Sequence, residues 1–310
     1  AALRRCGHAA AAVDPALPGG AADTGDGHID EQPGRVPPPL EPGEIFNWLS
    51  SPAILGAEAV FVALHGGSGE DGTVQAILDE AGIPYTGTGV LGSALAMDKD
   101  RSKALFREAG VSTAGHLLVP RGGKARREEI AGRIGYPLVV KPNSQGSSVG
   151  FSFVEEPGGL DAALIEAHRW DDAIVEPYIP GREVTVAVLG GEHLPVVEIV
   201  PEGGFYDYKR KYTKGTSRYI APAELPAGTA ARLRREGALA CETLRCRDYA
   251  RVDFRLREDG EPFCLEVNTL PGMTALSLVP MAAEAAGIGF DELIERICRM
   301  AVDRRGMDRS

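Results

Sequence analysis

Residues 250–268 read ARVDFRLREDGEPFCLEVN. Two short runs rich in Val, Phe and Leu flank the polar turn Glu258–Gly260, the pattern of an antiparallel hairpin with strands over 250–256 and 263–267. Alternation along a strand places Arg251 and Asp253 on one face, and Glu266 and Asn268 on one face. The hairpin brings the two pairs together. Two carboxylates and an amide oxygen are hard donors, a set that suits Mg²⁺ bound together with substrate phosphates. On spacing alone, a solvated hairpin face with salt bridges is the competing reading.

Working outward, strand-like and helix-like runs alternate. Ala59–Leu64 has the length of a buried strand. It leads through HGGSGEDG (65–72) into a helix that starts at Thr73 and stops at Gly82. Leu95–Ala109 reads as a second helix, ended by Gly110. His116–Val119 and Leu138–Lys141 read as strands, with a helix over Glu128–Ile134 between them. A Gly-rich hairpin, Gln145–Gly150, follows Lys141. Leu160–Ala167 reads as a helix, and Ala173–Glu176 and Val184–Leu189 as strands. Glu202–Tyr219 is polar, aromatic and cationic, and reads as a long loop; such loops in compact domains are usually functional. Pro226–Leu244, Ser277–Ala286 and Asp291–Val302 read as helices. Strands alternating with helices indicate α/β architecture.

The 310 residues suffice for two domains, or three small subdomains, at ~100–200 residues per domain. With 33 basic and 44 acidic side chains the net charge is −11, which argues against nucleic acid or an anionic membrane surface as partner. No apolar run reaches the ~18–20 residues that span a bilayer. The opening AALRRCGHAAAAVDP lacks an apolar core followed by a cleavage site, so no signal peptide is expected. Five cysteines without zinc-like spacing predict reduced thiols in a cytoplasmic protein. Residues 14–43, rich in Pro, Gly, Ala and Asp, read as a loop or disordered insert.

Further candidates lie elsewhere. Lys141 ends an apolar strand before the Gly- and Ser-rich turn, and Lys99 lies at a helix start in MDKDRSK. A strand-end lysine before such a turn suits a lid over phosphates, although most Gly-rich turns are only turns. Glu176-Pro177-Tyr178-Ile179 offers a strand edge to a planar base, with Glu183 beyond it; a linker with surface acids fits equally well. FYDYKRKY (205–212) reads as a solvated basic loop or a functional one. Ser277 and Leu278 open a helix whose N-terminus can receive a carboxylate or carry an ordinary cap. His65 follows a strand end, where α/β proteins place sites.

In combination and order, HGGSGEDG (65–72), YTGTGVLGSALAMDK (85–99), VVKPNSQGSSVG (139–150), GREVTVAVLG (181–190), FYDYKRKY (205–212), ARVDF (250–254) and LEVNTLPGMTALSLVPMAA (265–283) resemble the D-alanine–D-alanine ligases of the ATP-grasp superfamily. The likeness runs from about Ala59 to Val302. It implies an N-terminal parallel α/β subdomain (1–96) before an ATP-grasp fold of two α+β subdomains (97–180 and 181–310), the last carrying the metal and catalytic residues. It implies phosphate contacts from Lys99, Lys141 and Lys211, an adenine edge at Glu176, Pro177, Tyr178 and Ile179, and a ribose contact at Glu183. Asp253, Glu266 and Asn268 would hold two Mg²⁺ (or Mn²⁺). Arg251 and the Gly272 amide would form an oxyanion site, and Ser277 and Leu278 would receive the second substrate's carboxylate. Ser147 and Tyr212 would close the site, with His65 near the first D-alanine.

The implied activity is ATP-dependent joining of two D-alanine molecules through an acyl phosphate, for peptidoglycan precursors, by a cytoplasmic homodimer. A D-alanyl-D-lactate or D-alanyl-D-serine ligase is the near alternative, and YDYKRKY favours the amine-using enzyme. The family normally opens with a hydrophobic strand and a GG-x-S-x-E loop, whose glutamate binds the first substrate's ammonium. Here AALRRCGH resembles the end of the helix after that loop, and Asp14, Asp23, Asp26 and Asp30 lie outside any such motif. The sequence therefore predicts a chain that binds ATP but ligates poorly, unless another acid, Glu70 being the candidate, takes that role.

Overall fold

Two antiparallel sheets dominate the computed structural model, which describes residues 1–13, 22–23, 49, 51–123, 127–201 and 217–307. Its helices are α1 (Ala2–Arg5), α2 (Pro52–Leu55), α3 (Thr73–Glu80), α4 (Val90–Met97), α5 (Lys99–Ala109), α6 (Arg127–Arg133), α7 (Leu160–His168), α8 (Ala227–Thr243), α9 (Leu278–Ala285) and α10 (Phe290–Met307). Its strands are β1 (Ala12–Val13), β2 (Ala22–Asp23), β3 (Leu117–Val119), β4 (Leu138–Pro142), β5 (Ser152–Val154), β6 (Ala173–Pro177), β7 (Arg182–Leu189), β8 (Glu192–His193), β9 (Val197–Pro201), β10 (Ser217–Ile220), β11 (Tyr249–Leu256) and β12 (Pro262–Asn268).

The smaller sheet has the order β3-β6-β4-β5. Leu138, Val140 and Val175 pack from it onto α6 and α7 through Ile130, Leu160, Ala163 and Leu164. The larger sheet runs β10-β9-β7-β11-β12, with β8 beside β7. Period-two alternation sorts its faces. Val184, Val186 and Val188 of β7, with Ala250, Val252, Phe254 and Leu256 of β11, pack on Leu233 and Ala240 of α8 and on Leu244 just after it. The opposite face is apolar at one end, where Ala187, Leu189 and Tyr249 meet Val279, Ala282 and Leu293 of α9 and α10. Further along that face come Arg251, Asp253 and Arg255. Apolar packing over one face of the larger sheet and over one end of the other thus leaves a charged stretch on β11.

The hairpin forms as expected, with one feature that alternation does not show. Val252 pairs with Val267 and Asp253 with Glu266, but Phe254 pairs with Cys264, so Leu265 is an extra residue in β12. This bulge shifts the parity of the strand. Cys264 and Val267, three apart, both reach the α8 core, while Glu266 and Asn268 keep to the face of Arg251 and Asp253.

Three expected elements differ. The loop expected over 202–219 gives way at its end to β10, where Ser217–Ile220 pairs antiparallel with β9. Ala59–Leu64 makes no strand; only Val60 is bridged, in parallel, to Tyr85. Among the described residues no neighbouring strand supplies further partners, and Val62 is buried by packing on Val74, Leu78 and Leu270 instead. The helix expected over 95–109 is two helices, 90–97 and 99–109. Asp98 breaks them by leaving helical backbone at ψ 100° and accepting the Arg101 N–H on its side chain, an N-cap. Residues 14–21, 24–43 and 205–212 carry expectations that lie outside the described residues, apart from β2.

Candidate active site

The hairpin sets Arg251 directly opposite Asn268, and Asp253 directly opposite Glu266. Like charges facing across an antiparallel pair destabilise a sheet unless cations compensate them. Arg251 grips Asp253 with two bonds, Nε to Oδ1 at 2.9 Å and Nη2 to Oδ2 at 2.8 Å. The Thr185 hydroxyl, from the strand on the other side, donates to Asp253 Oδ1 at 2.7 Å. Lys99 Nζ lies 3.3 Å from Glu266 Oε2. Burial would raise the Glu266 carboxyl, but Lys99 and Lys141 override it and hold its pKa below the usual value.

Lys99 and Lys141 come from different elements and are locked together by one residue, Asn143. Its Nδ2 donates to Asp98 Oδ1 (2.9 Å), its Oδ1 accepts the Asp100 N–H (2.8 Å), and its carbonyl accepts the Lys99 N–H (3.3 Å). The start of α5 is thereby fastened to the end of β4. Lys99 Nζ also donates to the Gln145 carbonyl at 2.6 Å, which holds the Gly-rich turn down. In that turn Ser147 and Ser148 have φ of 51° and 56°, a left-handed conformation uncommon for non-glycine residues.

Lys141 Nζ lies 3.2 Å from Glu176 Oε2, and Lys103 Nζ lies 3.0 Å from Glu176 Oε1. Burial opposes the charge on Glu176, yet the two lysines bring its pKa down to about 2. Its carboxylate faces lysines, so the base edge falls to the backbone that follows. The Tyr178 N–H donates to the Pro137 carbonyl, and β3 ends its pairing with β6 at Val175. Alternation therefore turns the backbone of Pro177 and Ile179 away from β4, beyond the end of β3. Arg255, from the charged face of β11, fixes this linker. It donates to the Ile179 carbonyl (3.0 Å) and the Tyr178 hydroxyl (3.3 Å), and stands 3.6 Å from Glu183.

Two groups complete the surroundings. Ser277 is the N-cap residue of α9, which Leu278 opens, and its Oγ accepts the Thr274 N–H at 3.1 Å rather than one from its own helix. A Cβ on Gly272 would come to 3.0 Å from that Oγ, a tight contact that the Ser277 side chain would have to relieve. His65 Nδ1 lies 3.6 Å from Glu70 Oε1, and Glu70 Oε2 is 3.5 Å from where a Gly146 Cβ would sit. Glu70 thus stands between His65 and the turn carrying Ser147. Lys211 and Tyr212 lie outside the described residues.

The donor set fits a hard divalent cation. Asp253 and Glu266 are adjacent across the hairpin, Asn268 follows, and all three are partly open. Among the described residues no group of three His, Cys, Asp or Glu side chains could hold a metal, so the remaining ligands must come from amide, water or substrate oxygens, as Mg²⁺ accepts. Sequence reasoning missed Lys103, Asn143 and Arg255. Each sits within a quoted motif, one turn or two residues from a recognised residue; that proximity was the available signal.

Two antiparallel sheets whose acids are met by a shared group of lysines, one sheet carrying the paired-carboxylate hairpin, mark an ATP-grasp ligase. The D-ala D-ala ligase C-terminus family model matches residues 105–299, and the N-terminus model matches 27–88. A D-alanine–D-alanine ligase of Citrifermentans bemidjiense is 50% identical over 245 residues, 79% of either chain. The crystal structure of the Bacillus anthracis D-alanine–D-alanine ligase superposes with a TM-score of 0.75 at 38% identity, covering 82% of this chain and 83% of that one. The same enzyme complexed with ATP gives 0.73 at 36% identity, covering 83% of each. This chain belongs to the D-alanine–D-alanine ligase family. Among the described residues no helix is long and apolar enough to cross a membrane.

Proposed function

We propose that the residues gathered around the hairpin divide the work of ATP-dependent ligation of two D-alanine molecules. The chain is a ligase of that class, and its curated relatives carry the D-alanine–D-alanine name rather than that of a D-lactate or D-serine ligase or of a nucleotide binder. The observation that carries the assignment is the pairing of Asp253 with Glu266 beside Lys99, with Lys141 close by on β4 of the smaller sheet. Pro177 and Ile179 hold the adenine edge, Glu183 the ribose, and Lys99, Lys141 and Lys211 the phosphates.

Asp253, Glu266 and Asn268 would hold two Mg²⁺ or Mn²⁺. When bound, the ions supply neutralisation of charge on the transferring phosphoryl group. The carboxylate of the first D-alanine takes that group and becomes an acyl phosphate. The amine of the second attacks the acyl carbon, and phosphate leaves. Arg251 and the Gly272 N–H stabilise the oxyanion; one such donor is typically worth about 3–4 kcal/mol. Ser277 and Leu278 receive the acceptor carboxylate. His65, Ser147 and Tyr212 orient the substrates, and the Gly-rich turn keeps water from the acyl phosphate.

The same reading divides the chain at 96 and 180 and makes it a cytoplasmic homodimer. Phosphate release from ATP tests the activity. Release that requires D-alanine and Mg²⁺, with D-alanyl-D-alanine formed in equal amount, is expected. Release indifferent to D-alanine would overturn it.

A further inference from the structure

Lys103 has no part in the reaction as described, yet it is a fully buried cation with 0% side-chain exposure. It projects from α5, one turn after Lys99. Its Nζ donates to Thr113 Oγ1 at 2.8 Å and meets Glu176 at 3.0 Å; Thr113 in turn donates to the Cys264 carbonyl of β12. Burying a charge this deeply is expensive unless a partner compensates it. Glu176 is that partner, and it also meets Lys141, whose side chain is 14% exposed. Three charges therefore share one pocket, with a net charge of +1. The carboxylate is in the middle, one lysine lies sealed behind it, and one lysine reaches the open side.

This arrangement has an electrostatic consequence. With Lys141 and Glu176 alone, the pair would be neutral, and an incoming phosphate would meet little net positive charge. The second cation alters that sum. We propose that Lys103 is a positioning residue that neutralises Glu176 from the buried side and so leaves the charge of Lys141 available to the nucleotide phosphates. Burial pushes the Lys103 ammonium below the ordinary lysine value, whereas Lys141, opposed by burial but drawn up by Glu176 and Glu266, lies above it. The inference rests on the assignment of Lys141 to the phosphates.

The test compares binding of adenosine with binding of the β,γ-imido analogue of ATP in excess Mg²⁺, by calorimetry or NMR titration on the full chain. The ratio of the two affinities isolates what the phosphates contribute. Lys103→Met is expected to lower that ratio about tenfold while leaving adenosine affinity within threefold. The double variant Lys103→Met, Glu176→Gln removes both charges, leaves Lys141 unopposed and should return the ratio to within threefold of the parent. A Lys103→Met ratio reduced less than fivefold, or a double variant no better than the single one, overturns the proposal. A purely structural role would weaken adenosine and analogue alike. If the single variant does not fold, the double variant decides alone: a parental ratio supports the charge argument, a lowered one defeats it. Lys141→Met is the control. If it leaves the ratio unchanged, the assignment of Lys141 falls, a result distinct from failure of Lys103.

Discussion

Glu176 and Glu266 each meet a lysine of the same group, and they differ in what surrounds them. The Glu176 side chain is 5% exposed and is met on each oxygen by a lysine. The Glu266 side chain is 31% exposed, has Lys99 near one oxygen, and faces Asp253 across the hairpin. A carboxylate flanked on both oxygens by fixed cations is part of the framework. One that is open beside another carboxylate keeps donor capacity for an ion that arrives with substrate. The comparison predicts opposite phenotypes for the same chemical change.

Glu266→Gln should give the largest effect. It keeps the shape of the side chain and removes the charge that the ions need, so ligation should fall by about a thousandfold or more at saturating Mg²⁺. The thermal midpoint should stay within a few degrees of the parent. Steady-state phosphate release together with a melting curve checks both. Activity within tenfold of the parent would sink the metal assignment.

Glu176→Gln should act through stability. It strands Lys103 and Lys141 without their shared partner, and breaking a buried pair in this way typically costs about 3–5 kcal/mol. The midpoint at neutral pH should fall by about 5–10 °C for a chain of this size. The pH dependence sharpens the point. The folded pKa of Glu176, about 2, lies below its ordinary 4.5. Its stabilisation is therefore complete above about pH 4.5 and is lost as pH falls toward 2, an amount of roughly 3 kcal/mol. Melting curves of parent and variant should converge across that window. Curves that stay parallel would show that Glu176 is not the group responsible.

The contrast between the two glutamates also marks what the sequence shows and what it hides. Glu266 was legible because a turn at Glu258–Gly260 and period-two alternation are local signals, and they aim four polar side chains at each other without any knowledge of the fold. The bulge at Leu265 was not, since two residues opposing one is a property of the pair and not of either strand. Lys103 was hidden by its type: on a helix, a lysine four residues after another reads as a solvated face, and only the sheet packed against α5 buries it. Asp98 sat inside a run with helical character throughout. Its role as a cap depends on Asn143, more than forty residues away in the chain, which draws it out of the helix.

Asn143 supplies the smallest predicted effect. Besides a long contact to Ser144 Oγ at 3.5 Å, its side chain makes two short hydrogen bonds, to Asp98 and to the Asp100 N–H, and these join the helix of Lys99 to the strand of Lys141. Neutral hydrogen bonds are worth about 0.5–1.5 kcal/mol each, and bonds to a charged carboxylate somewhat more. Asn143→Ala removes both side-chain bonds and leaves the backbone carbonyl that accepts the Lys99 N–H. The two lysines should remain in place on average but with a looser separation. Phosphates that touch both would then lose part of the benefit of a fixed spacing. The expected result is an increase of about three- to tenfold in KM for ATP, with KM for D-alanine within about twofold, because neither lysine is assigned to the amino acid. Glu176 keeps both its lysines in this variant, so the pH dependence of stability between 4.5 and 2 should match the parent. If KM for D-alanine rises as much as KM for ATP, the fastening by Asn143 serves the whole site, and the separation drawn here between framework and open donor groups does not extend to Lys99.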